Sequence, residues 1–514
     1  MDSTQHRTNL PSIAILALLV LVGFAARIFF AGEPLWVDEL HTAWAVDGSF
    51  AELFSRSAQG NQTPLYFLVQ WFVCSVTDLS EPALRSISIA TSSIAILMAG
   101  FLVWRWTQNL VAAAVTTLLA AIDYWLLFYG SEARPYAMLQ LLCLIQIHYL
   151  LEATANTTTA STRFLGKIDW RIVATTALLP LTHLTSILLI ASQIAYVVLV
   201  RPNNATKIAG SILAGLFILL LAFPIIADVM ANRSDWASIT DPVGFVNELW
   251  PTMLPCVATP VLLIGLSRVF TTDAKKGRLA SNVVNGIRSA PLTLITFCCL
   301  LPAGIALLAT LAKFAPIASP RYIACSLILA PIFAGLAFEK IVNKGQPVAC
   351  FLILAAAIWF NPITNNVWSN EKFVFRSENW ESVVQRVGGN QIGNRSVVFL
   401  FPNLVEDPRL QSQAHDPELE KYLTFPLTGI YKLPEATITI PMPTLTNNRW
   451  QARHIQQIIQ NGGAQIVART DDSTLKIILG ELAVLADEHQ AKFSLITESQ
   501  AGNIVQIVNV LPKE

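Results

Sequence analysis

The sequence predicts an all-α polytopic membrane domain followed by a small soluble α/β domain, and three observations lead to this fold class. Hydrophobic residues make up 54% of the 514 residues, and the mean hydropathy is +0.52. Charged residues make up only 13%, about half the share of a soluble domain. Of the 68 charged residues, 29 lie in residues 362–514. We therefore predict a membrane domain at 1–361, with an outer loop at 31–83, and an extracytoplasmic domain at 362–514.

The charge balance and the cysteines exclude several other classes of protein. The chain has 34 Lys+Arg and 34 Asp+Glu, so it lacks the basic surface of a nucleic-acid binder. Its apolar content argues against a disordered chain and against an ordinary cytosolic enzyme. All seven cysteines fall in apolar stretches, which disfavours a disulfide framework or a zinc site. The expected surroundings are a lipid bilayer, with no nucleic acid as partner.

The apolar runs predict eleven membrane spans. The first, at 12–30, is too long for the apolar region of a signal peptide and lacks a small-residue cleavage site, so we expect an uncleaved span. Ten further runs are long enough to cross with some tilt. They lie near 85–104, 109–129, 135–152, 171–186, 187–200, 208–228, 249–267, 290–312, 322–338 and 347–361.

The basic residues of the loops predict how the spans are oriented and whether the ambiguous segment 64–77 crosses the membrane. If 64–77 does not cross and the N-terminus is cytoplasmic, all the basic connections fall inside, as the positive-inside rule requires. These connections are Arg105–Gln108, Arg163–Arg171, Arg201–Lys207, Arg268–Arg288 and Lys340–Lys344. We therefore predict an integral protein of the cell (inner) membrane, with 64–77 as a re-entrant or interfacial helix and the C-terminal domain outside.

Patterns outside the spans predict surface helices and a mixed tail. Asp47–Gln59 reads as an interfacial helix with an apolar face. In the tail, Trp380–Val387 and Arg449–Gln460 read as helices. The predicted strands are Ser396–Phe401, Ala464–Ala468, Leu475–Leu479 and Ile504–Val510.

The first polar cluster, Trp36-Val37-Asp38-Glu39, follows the first predicted span. A lone acid in such a loop is usually a solvated charge. Here an aromatic residue precedes two carboxylates, and apolar surroundings near the lipid surface raise carboxylate basicity. Asp38 and Glu39 are therefore candidates to accept a proton from a hydroxyl group.

Two further segments carry polar groups at the predicted outer surface. In Asn61-Gln62-Thr63-Pro64-Leu65-Tyr66 the candidates are Gln62 and Tyr66, although an interfacial aromatic belt would also explain Tyr66. Ser131-Glu132-Ala133-Arg134-Pro135-Tyr136 places Glu132 and Arg134 at the outer end of two spans. Charges so close to hydrocarbon are costly and indicate function, and Arg134 suits a bidentate phosphate contact. A local salt bridge at a helix start is the alternative.

Two later segments complete the set. Thr182-His183-Leu184-Thr185-Ser186 lies at an outer span boundary, where His183 is either a site residue or a structural one. An outer loop at 313–322 carries Lys313, Arg321 and Tyr322, against the positive-inside tendency. Cations there suit a lipid-linked phosphate or diphosphate. Together the segments predict an outer site that binds a phospholipid-like anion and holds a carboxylate base.

The order of these motifs resembles the GT-C superfamily of membrane glycosyltransferases. The motifs are W-x-D-E, N-Q-T-P-L-Y, S-E-A-R-P-Y, T-H-x-T-S and S-P-R-Y, and Ser377-Glu378-Asn379-Trp380 is similar to the acid-x-W step of the same group. The most similar group is the bacterial family 39-like branch, related to protein O-mannosyltransferases and lipid A aminoarabinose transferases. The resemblance covers roughly residues 30–390.

The resemblance implies an inverting transfer of a sugar from a polyprenyl-phosphate donor to an extracytoplasmic acceptor, which is a glycolipid, a polysaccharide or a protein. Asp38 would be the base and Glu132 the second-loop acid, while Arg134 and Arg321 would neutralise the donor phosphate. Many relatives have His or Lys where this chain has Asn61-Gln62-Thr63. No cofactor is indicated with certainty, and whether Asp38 and Glu132 hold a divalent cation is left open.

Two other functions compete with the transferase. A transporter or flippase of lipid-linked sugars would place ionisable residues inside the spans and show inverted repeats. In this sequence such residues cluster in the outer loops, and no repeat is found. A non-catalytic receptor or assembly subunit would leave the W-x-D-E and S-E-A-R-P-Y motifs without a purpose.

Overall fold

A computed structural model of the chain describes most of the sequence in two compact units. The membrane unit consists of residues 1–32, 57–70 and 85–373, and the loop–tail unit consists of residues 33–56, 71–84 and 374–514. Parts of the predicted first outer loop thus group with the tail. The described residues are 10–155, 168–231, 241–269, 290–341, 345–369, 373–389, 396–412, 416–444, 446, 449–498 and 503–513.

Within the described ranges of the first 369 residues, all regular secondary structure is helical. The helices are α1 (Leu10–Phe30), α2 (Val37–Asp47), α3 (Glu52–Gln59), α4 (Leu65–Val76), α5 (Glu81–Thr107), α6 (Leu110–Ile122), α7 (Tyr124–Gly130), α8 (Tyr136–Ala155), α9 (Trp170–Thr182), α10 (Ile187–Val200), α11 (Pro202–Ile218), α12 (Phe223–Ala231), α13 (Pro242–Met253), α14 (Thr259–Val269), α15 (Ala290–Leu311), α16 (Ala324–Leu327), α17 (Leu329–Glu339), α18 (Gln346–Trp359) and α19 (Pro362–Trp368). Single 3₁₀ turns at Leu184–Ser186 and Pro320–Ile323 precede α10 and α16.

The protein is an integral membrane protein, but the predicted count of eleven spans is not confirmed. Seven described helical segments are long and apolar enough to cross a membrane, or nine if α6–α7 and α18–α19 each form one bent span. The predicted spans 171–186 and 187–200 correspond to shorter helices, because His183 has an extended backbone (φ −161°) that ends α9 after 13 residues. The segment predicted to be interfacial forms α4, with 12 residues. The predicted cytoplasmic loop 268–288 lies almost entirely outside the described residues.

Small residues allow the helices around α6 to pack closely. A Cβ atom at Gly100 of α5 would collide with the hydroxyl of Thr117, and one at Gly335 of α17 would collide with that of Thr116. Both threonines are buried, and each hydroxyl bonds a carbonyl one turn earlier in α6. Lipid tails are as apolar as the surfaces of the helices, so the hydrophobic effect does not drive the helices together. Close packing of the backbones therefore holds such bundles together.

The tail folds as a mixed α/β layer. After α20 (Trp380–Gly389), the elements are β1 (Val397–Phe401), α21 (Arg409–Ser412), α22 (Pro417–Thr428), β2 (Ile438–Pro441), α23 (Ala452–Gln460), β3 (Ala464–Arg469), α24 (Asp472–Glu488), β4 (Phe493–Glu498) and β5 (Val505–Pro512). The strand order is β2-β1-β3-β5-β4, with β1 parallel to β2 and β3, and β5 antiparallel to β3 and β4. The predicted strands at 396–401, 464–468 and 504–510 are therefore confirmed.

One predicted strand is wrong, and one predicted helix begins late. Leu475–Leu479 lies inside α24, where the Asp471 side chain caps the first turn by accepting the Thr474 N–H at 2.8 Å. The predicted helix Asp47–Gln59 begins only at Glu52, since Ser49 and Glu52 bond each other's backbone N–H groups. Leu53 is buried as expected, whereas Phe50 is 54% exposed.

Candidate functional site

In the membrane unit, four segments meet at one cavity, and all but the end of α12 were singled out in the sequence. They are the N-Q-T step before α4, the turn between α9 and α10, the end of α12, and the loop before α16. The cavity has a volume of about 80 Å³. Its described lining residues are Asn61, Gln62, Thr63, His183, Leu184, Thr185, Val229, Met230, Pro316, Ile317, Arg321 and Tyr322.

Two buried side chains of this lining have polar atoms that the described protein leaves unbonded. Thr63 is 1% exposed and Gln62 is 6% exposed. Neither Thr63 Oγ1 nor Gln62 Oε1 has a hydrogen-bond partner in the part of the chain that the structure describes. Buried polar atoms are normally bonded, so such atoms in a cavity wall indicate a ligand.

The charges of both candidate arginines of the membrane unit act on His183. Burial, followed by the charges of Arg134 and Arg321, lowers the pKa of His183 to about 3. The imidazole is therefore neutral at physiological pH. Its Nδ1 lies 2.8 Å from the Thr185 hydroxyl, and its ring lies 5.5 Å from that of Tyr136 and 6.3 Å from that of Tyr322.

Arg134 is held by a chain of hydrogen bonds that begins at Tyr66. The Tyr66 hydroxyl lies 3.1 Å from the Ser88 hydroxyl, which donates to the Arg134 carbonyl at 3.1 Å. Tyr66 is fully buried, and Arg134 is 1% exposed. In this structure Tyr66 therefore fixes the S-E-A-R-P-Y segment and does not lie in an exposed aromatic belt.

The remaining predicted residues of the membrane unit lie in different environments. Glu132 is completely buried, and its charge acts on Tyr129, as does that of Arg321. Arg321 and Tyr322 are half-buried at the cavity. Lys313 is exposed in the turn after α15, with φ 56°, and does not line the cavity as described. The structure therefore brings Gln62, His183, Arg321 and Tyr322 together but not Lys313.

In the loop–tail unit, Asp38 and Glu39 lie in the first turn of α2 and differ in their surroundings. Glu39 is completely buried, accepts the Trp36 N–H at 3.4 Å, and pairs with Arg376 at 3.5 Å. It therefore caps its helix and neutralises a buried cation. Asp38 is half-buried, and this leaves it the better placed of the two to meet a substrate.

Tail residues bind the segment that leads into Asp38. Glu378 accepts the Val37 N–H at 3.0 Å and the Trp380 Nε1–H at 2.9 Å, and pairs with Arg469 at 2.6 Å. Glu33 accepts the N–H groups of Phe375 and Arg376 at 3.0 and 3.2 Å. The E-x-W step of the tail thus fixes the segment that carries the candidate base.

The described residues do not form an evident cation site. No three His, Cys, Asp or Glu side chains come together within them, and hard divalent cations take several oxygen ligands.

Several residues that contribute to the candidate site or to the structure around it were not identified from the sequence. Thr63 and Thr185 lay within the motifs, but nothing in their type marked them as cavity residues. Arg376 pairs with Glu33 and Glu39, which precede it by more than 300 residues in the chain. Arg27, a charge inside the first apolar run, carried a detectable signal, because ionisable residues within spans are rare.

Comparison with known proteins supports the fold that the motifs predict. No family model and no curated protein matches the sequence. Among solved structures, ArnT from Cupriavidus metallidurans bound to undecaprenyl phosphate matches with a TM-score of 0.51, covering 97% of both chains at 12% identity. The archaeal oligosaccharyltransferase AglB from Archaeoglobus fulgidus, in complex with an inhibitory peptide and a dolichol-phosphate, has a TM-score of 0.46 and 11% identity, covering 98% of this chain and 74% of AglB. The chain therefore has the fold of ArnT, and at 12% identity this likeness concerns the fold alone.

Proposed function

We propose that the protein is an inverting glycosyltransferase that transfers a sugar from a polyprenyl-phosphate donor to an extracytoplasmic acceptor. The observation that carries the proposal is that Arg321 and His183 line one cavity of the membrane unit, where the charges of Arg321 and Arg134 both act on the neutral imidazole. ArnT, a solved neighbour with this fold, was obtained bound to undecaprenyl phosphate, and arginine side chains suit a lipid-linked phosphate.

The proposed reaction displaces the lipid phosphate from the anomeric carbon. The acceptor hydroxyl attacks from the face opposite the phosphate, forms the new C–O bond, and gives its proton to Asp38. The old C–O bond breaks, and its electron pair leaves with the phosphate, which gains a negative charge. Arg134 and Arg321 stabilise that growing charge, so they contribute more in the transition state than in the ground state.

Binding of the lipid carrier tests the phosphate part directly. We expect Arg321→Ala and Arg134→Ala to lower the affinity for undecaprenyl phosphate about 10- to 100-fold, because a hydrogen bond to a charged group contributes about 1.5–3 kcal/mol. Arg134→Lys should also bind more weakly, since lysine keeps the charge but loses the planar fork. Arg105→Ala removes an exposed cation that pairs with Glu152 at 3.0 Å and is the matched control. Unchanged affinity in both alanine variants would refute the assignment.

Arg134 has an alternative role as a partner of Glu132 that merely holds the loop. In that case the charge-swapped pair Glu132→Arg with Arg134→Glu should regain activity, and a folded but inactive swap supports the catalytic role.

A transfer assay separates the transferase from a flippase of lipid-linked sugars. A transferase consumes the glycosylated donor and releases free polyprenyl phosphate, whereas a flippase leaves the donor intact. Mass spectrometry of cell-envelope glycolipids, polysaccharides and proteins, with and without the protein, should then identify the acceptor by a loss of one sugar mass. No change in any of these fractions would count against the transferase.

A further inference from the structure

We propose that the cavity beside Arg321 is a subsite for an uncharged sugar, in which Gln62 and Thr63 bind the hydroxyl groups of the donor. The proposal deepens the function proposed above and rests on it. It specifies the chemical class of the sugar and identifies two residues that select it.

The polar atoms of the wall require a partner. Thr63 Oγ1 and Gln62 Oε1 are buried and have no hydrogen-bond partner among the described residues. Ser186, one residue beyond the cavity residue Thr185, is also buried, and its Oγ has no hydrogen-bond partner among the described residues. Because unsatisfied buried polar atoms destabilise a fold, their presence at a cavity indicates a ligand that completes their hydrogen bonds.

The chemistry of these groups matches sugar hydroxyls. A hydroxyl and a carboxamide each donate and accept hydrogen bonds, as does each hydroxyl of a sugar. The neutral His183 adds a ring whose Nδ1 is engaged with Thr185, and this leaves Nε2 for a further bond. The wall thus offers several neutral donors and acceptors beside Arg321, the group proposed to bind the phosphate.

The charge of the wall disfavours a charged sugar. None of the twelve described lining residues is acidic, so an ammonium group would enter without a carboxylate partner. Glu132 and Glu248 act electrostatically on the nearby Tyr129 but do not line the cavity as described. A carboxylate on the sugar would compete with the phosphate for Arg321. A volume of about 80 Å³ suits part of one monosaccharide and not a longer glycan.

The test compares four ligands on the full-length protein in lipid nanodiscs: undecaprenyl phosphate alone and the same lipid carrying glucose, glucosamine or glucuronic acid. We expect the glucose form to bind at least about tenfold more tightly than either charged form. Thr63→Val should weaken binding of the glucose form about tenfold, the size of one hydrogen bond to a neutral group, and leave the sugar-free lipid unaffected. Thr63→Ser keeps the hydroxyl and should bind normally, which separates the loss of the hydroxyl from misfolding.

Two further variants sharpen the result. Gln62→Glu places a carboxylate of the same shape in the wall and should shift preference toward the glucosamine form about tenfold. Thr182→Val is the matched control, since the Thr182 hydroxyl bonds the Leu178 carbonyl of its own helix and does not line the cavity.

The outcomes distinguish failure of the subsite from failure of the function. Equal affinity of the wild type for the glucose and glucosamine forms would overturn the neutral subsite. Equal weakening of all four ligands by Thr63→Val would show that the residue supports the lipid or phosphate and not the sugar. If undecaprenyl phosphate itself does not bind, the proposed function fails and the subsite fails with it.

Discussion

Arg27 donates its Nε–H to the hydroxyl of Ser92 at 2.6 Å inside the membrane unit. The guanidinium is completely buried, and its other N–H groups donate to the carbonyls of Gly23, Ala120, Ala121 and Leu126. The carbonyls of Ala120 and Ala121 lie at the end of α6, and that of Leu126 lies in α7. The two helices meet at a bend of 62°. Arg27 therefore satisfies the backbone where a span is broken, a condition that non-helical backbone at membrane depth must meet.

We expect Gly130→Ala to damage this junction. A Cβ at Gly130 would lie 2.6 Å from Arg27 Nε and 2.5 Å from Ser92 Oγ, so the arginine or the helix must move. Overpacking of this kind costs about 1–3 kcal/mol, and the melting temperature in detergent should fall. Gly265→Ala is the control, because a Cβ there meets nothing within 4 Å. Equal melting temperatures for both variants would contradict the tight junction.

Asp38→Asn should remove most turnover while leaving donor binding intact. An amide cannot take the acceptor's proton, and general-base catalysis typically contributes about 10²–10⁴-fold. Single-turnover rates and carrier affinity measured on the same preparation separate the two effects. Glu39→Gln should instead lower stability, since Glu39 caps α2 and pairs with the buried Arg376. Full activity of the Asn variant would rule out Asp38 as the base.

Glu378→Gln tests whether the tail positions the segment that carries Asp38. The amide oxygen can still accept the Val37 N–H, but the charge that pairs with Arg469 at 2.6 Å is lost. We expect kcat to fall about tenfold with little change in donor KM, because donor groups in the membrane unit are unaltered. Hydrogen exchange of residues 33–47 should also accelerate. Glu381→Gln, an exposed position in α20 three residues further along the chain, should match the wild type; a loss there would show that the effect is not specific.

Asp407 makes the stability of the tail depend on pH. Burial raises the pKa of Asp407 from 3.8 to about 6, and hydrogen bonds from Thr444 and the charge of Arg449 only partly oppose this. The folded state therefore disfavours the charged carboxylate, and stability falls as pH rises from about 4 to about 6, by about 3 kcal/mol in all.

Asp407→Asn should relieve this penalty above pH 6 and keep an oxygen that accepts the Thr444 N–H. Hydrogen exchange of β1 in the full-length protein should be slower in the variant at pH 7.5, with a smaller difference at pH 5. Asp487→Asn removes an exposed carboxylate on α24 and should change neither. A variant that is less protected than the wild type at pH 7.5 would mean that the charged form stabilises the tail.

The sequence predicted features that depend on neighbouring residues better than features that depend on residues far apart in the chain. Val397–Phe401 is a continuous apolar run between polar segments, and such a run predicts a buried strand correctly. Leu475–Leu479 has the same local character, but Asp471 and the spacing of Leu475, Ile478 and Leu482 belong to a longer helix. The five-residue window was simply too short to separate the two periods.

The candidate site follows the same rule. Residues in one motif, such as His183 and Thr185, were found together and contact each other. From the sequence alone, Glu39 and Asp38 were equally good candidates for the proton acceptor. The ion pair with Arg376 is what gives Glu39 a structural role. Val37 and Glu378 are 341 positions apart, and no local pattern in the sequence encodes that contact.

That separation has a consequence for biosynthesis. The helix that carries Asp38 leaves the ribosome well before Glu378, Tyr422 and Arg469, with which α2 and its flanks form one compact unit. At about 5–20 residues per second, the ribosome needs about 20–70 s to make the intervening chain. During that interval the helices of the bundle can insert while the loop has nothing to fold against. A nascent chain would therefore occupy the bilayer before the loop that carries Asp38 can fold, and the transfer proposed above would begin only after the tail has been made.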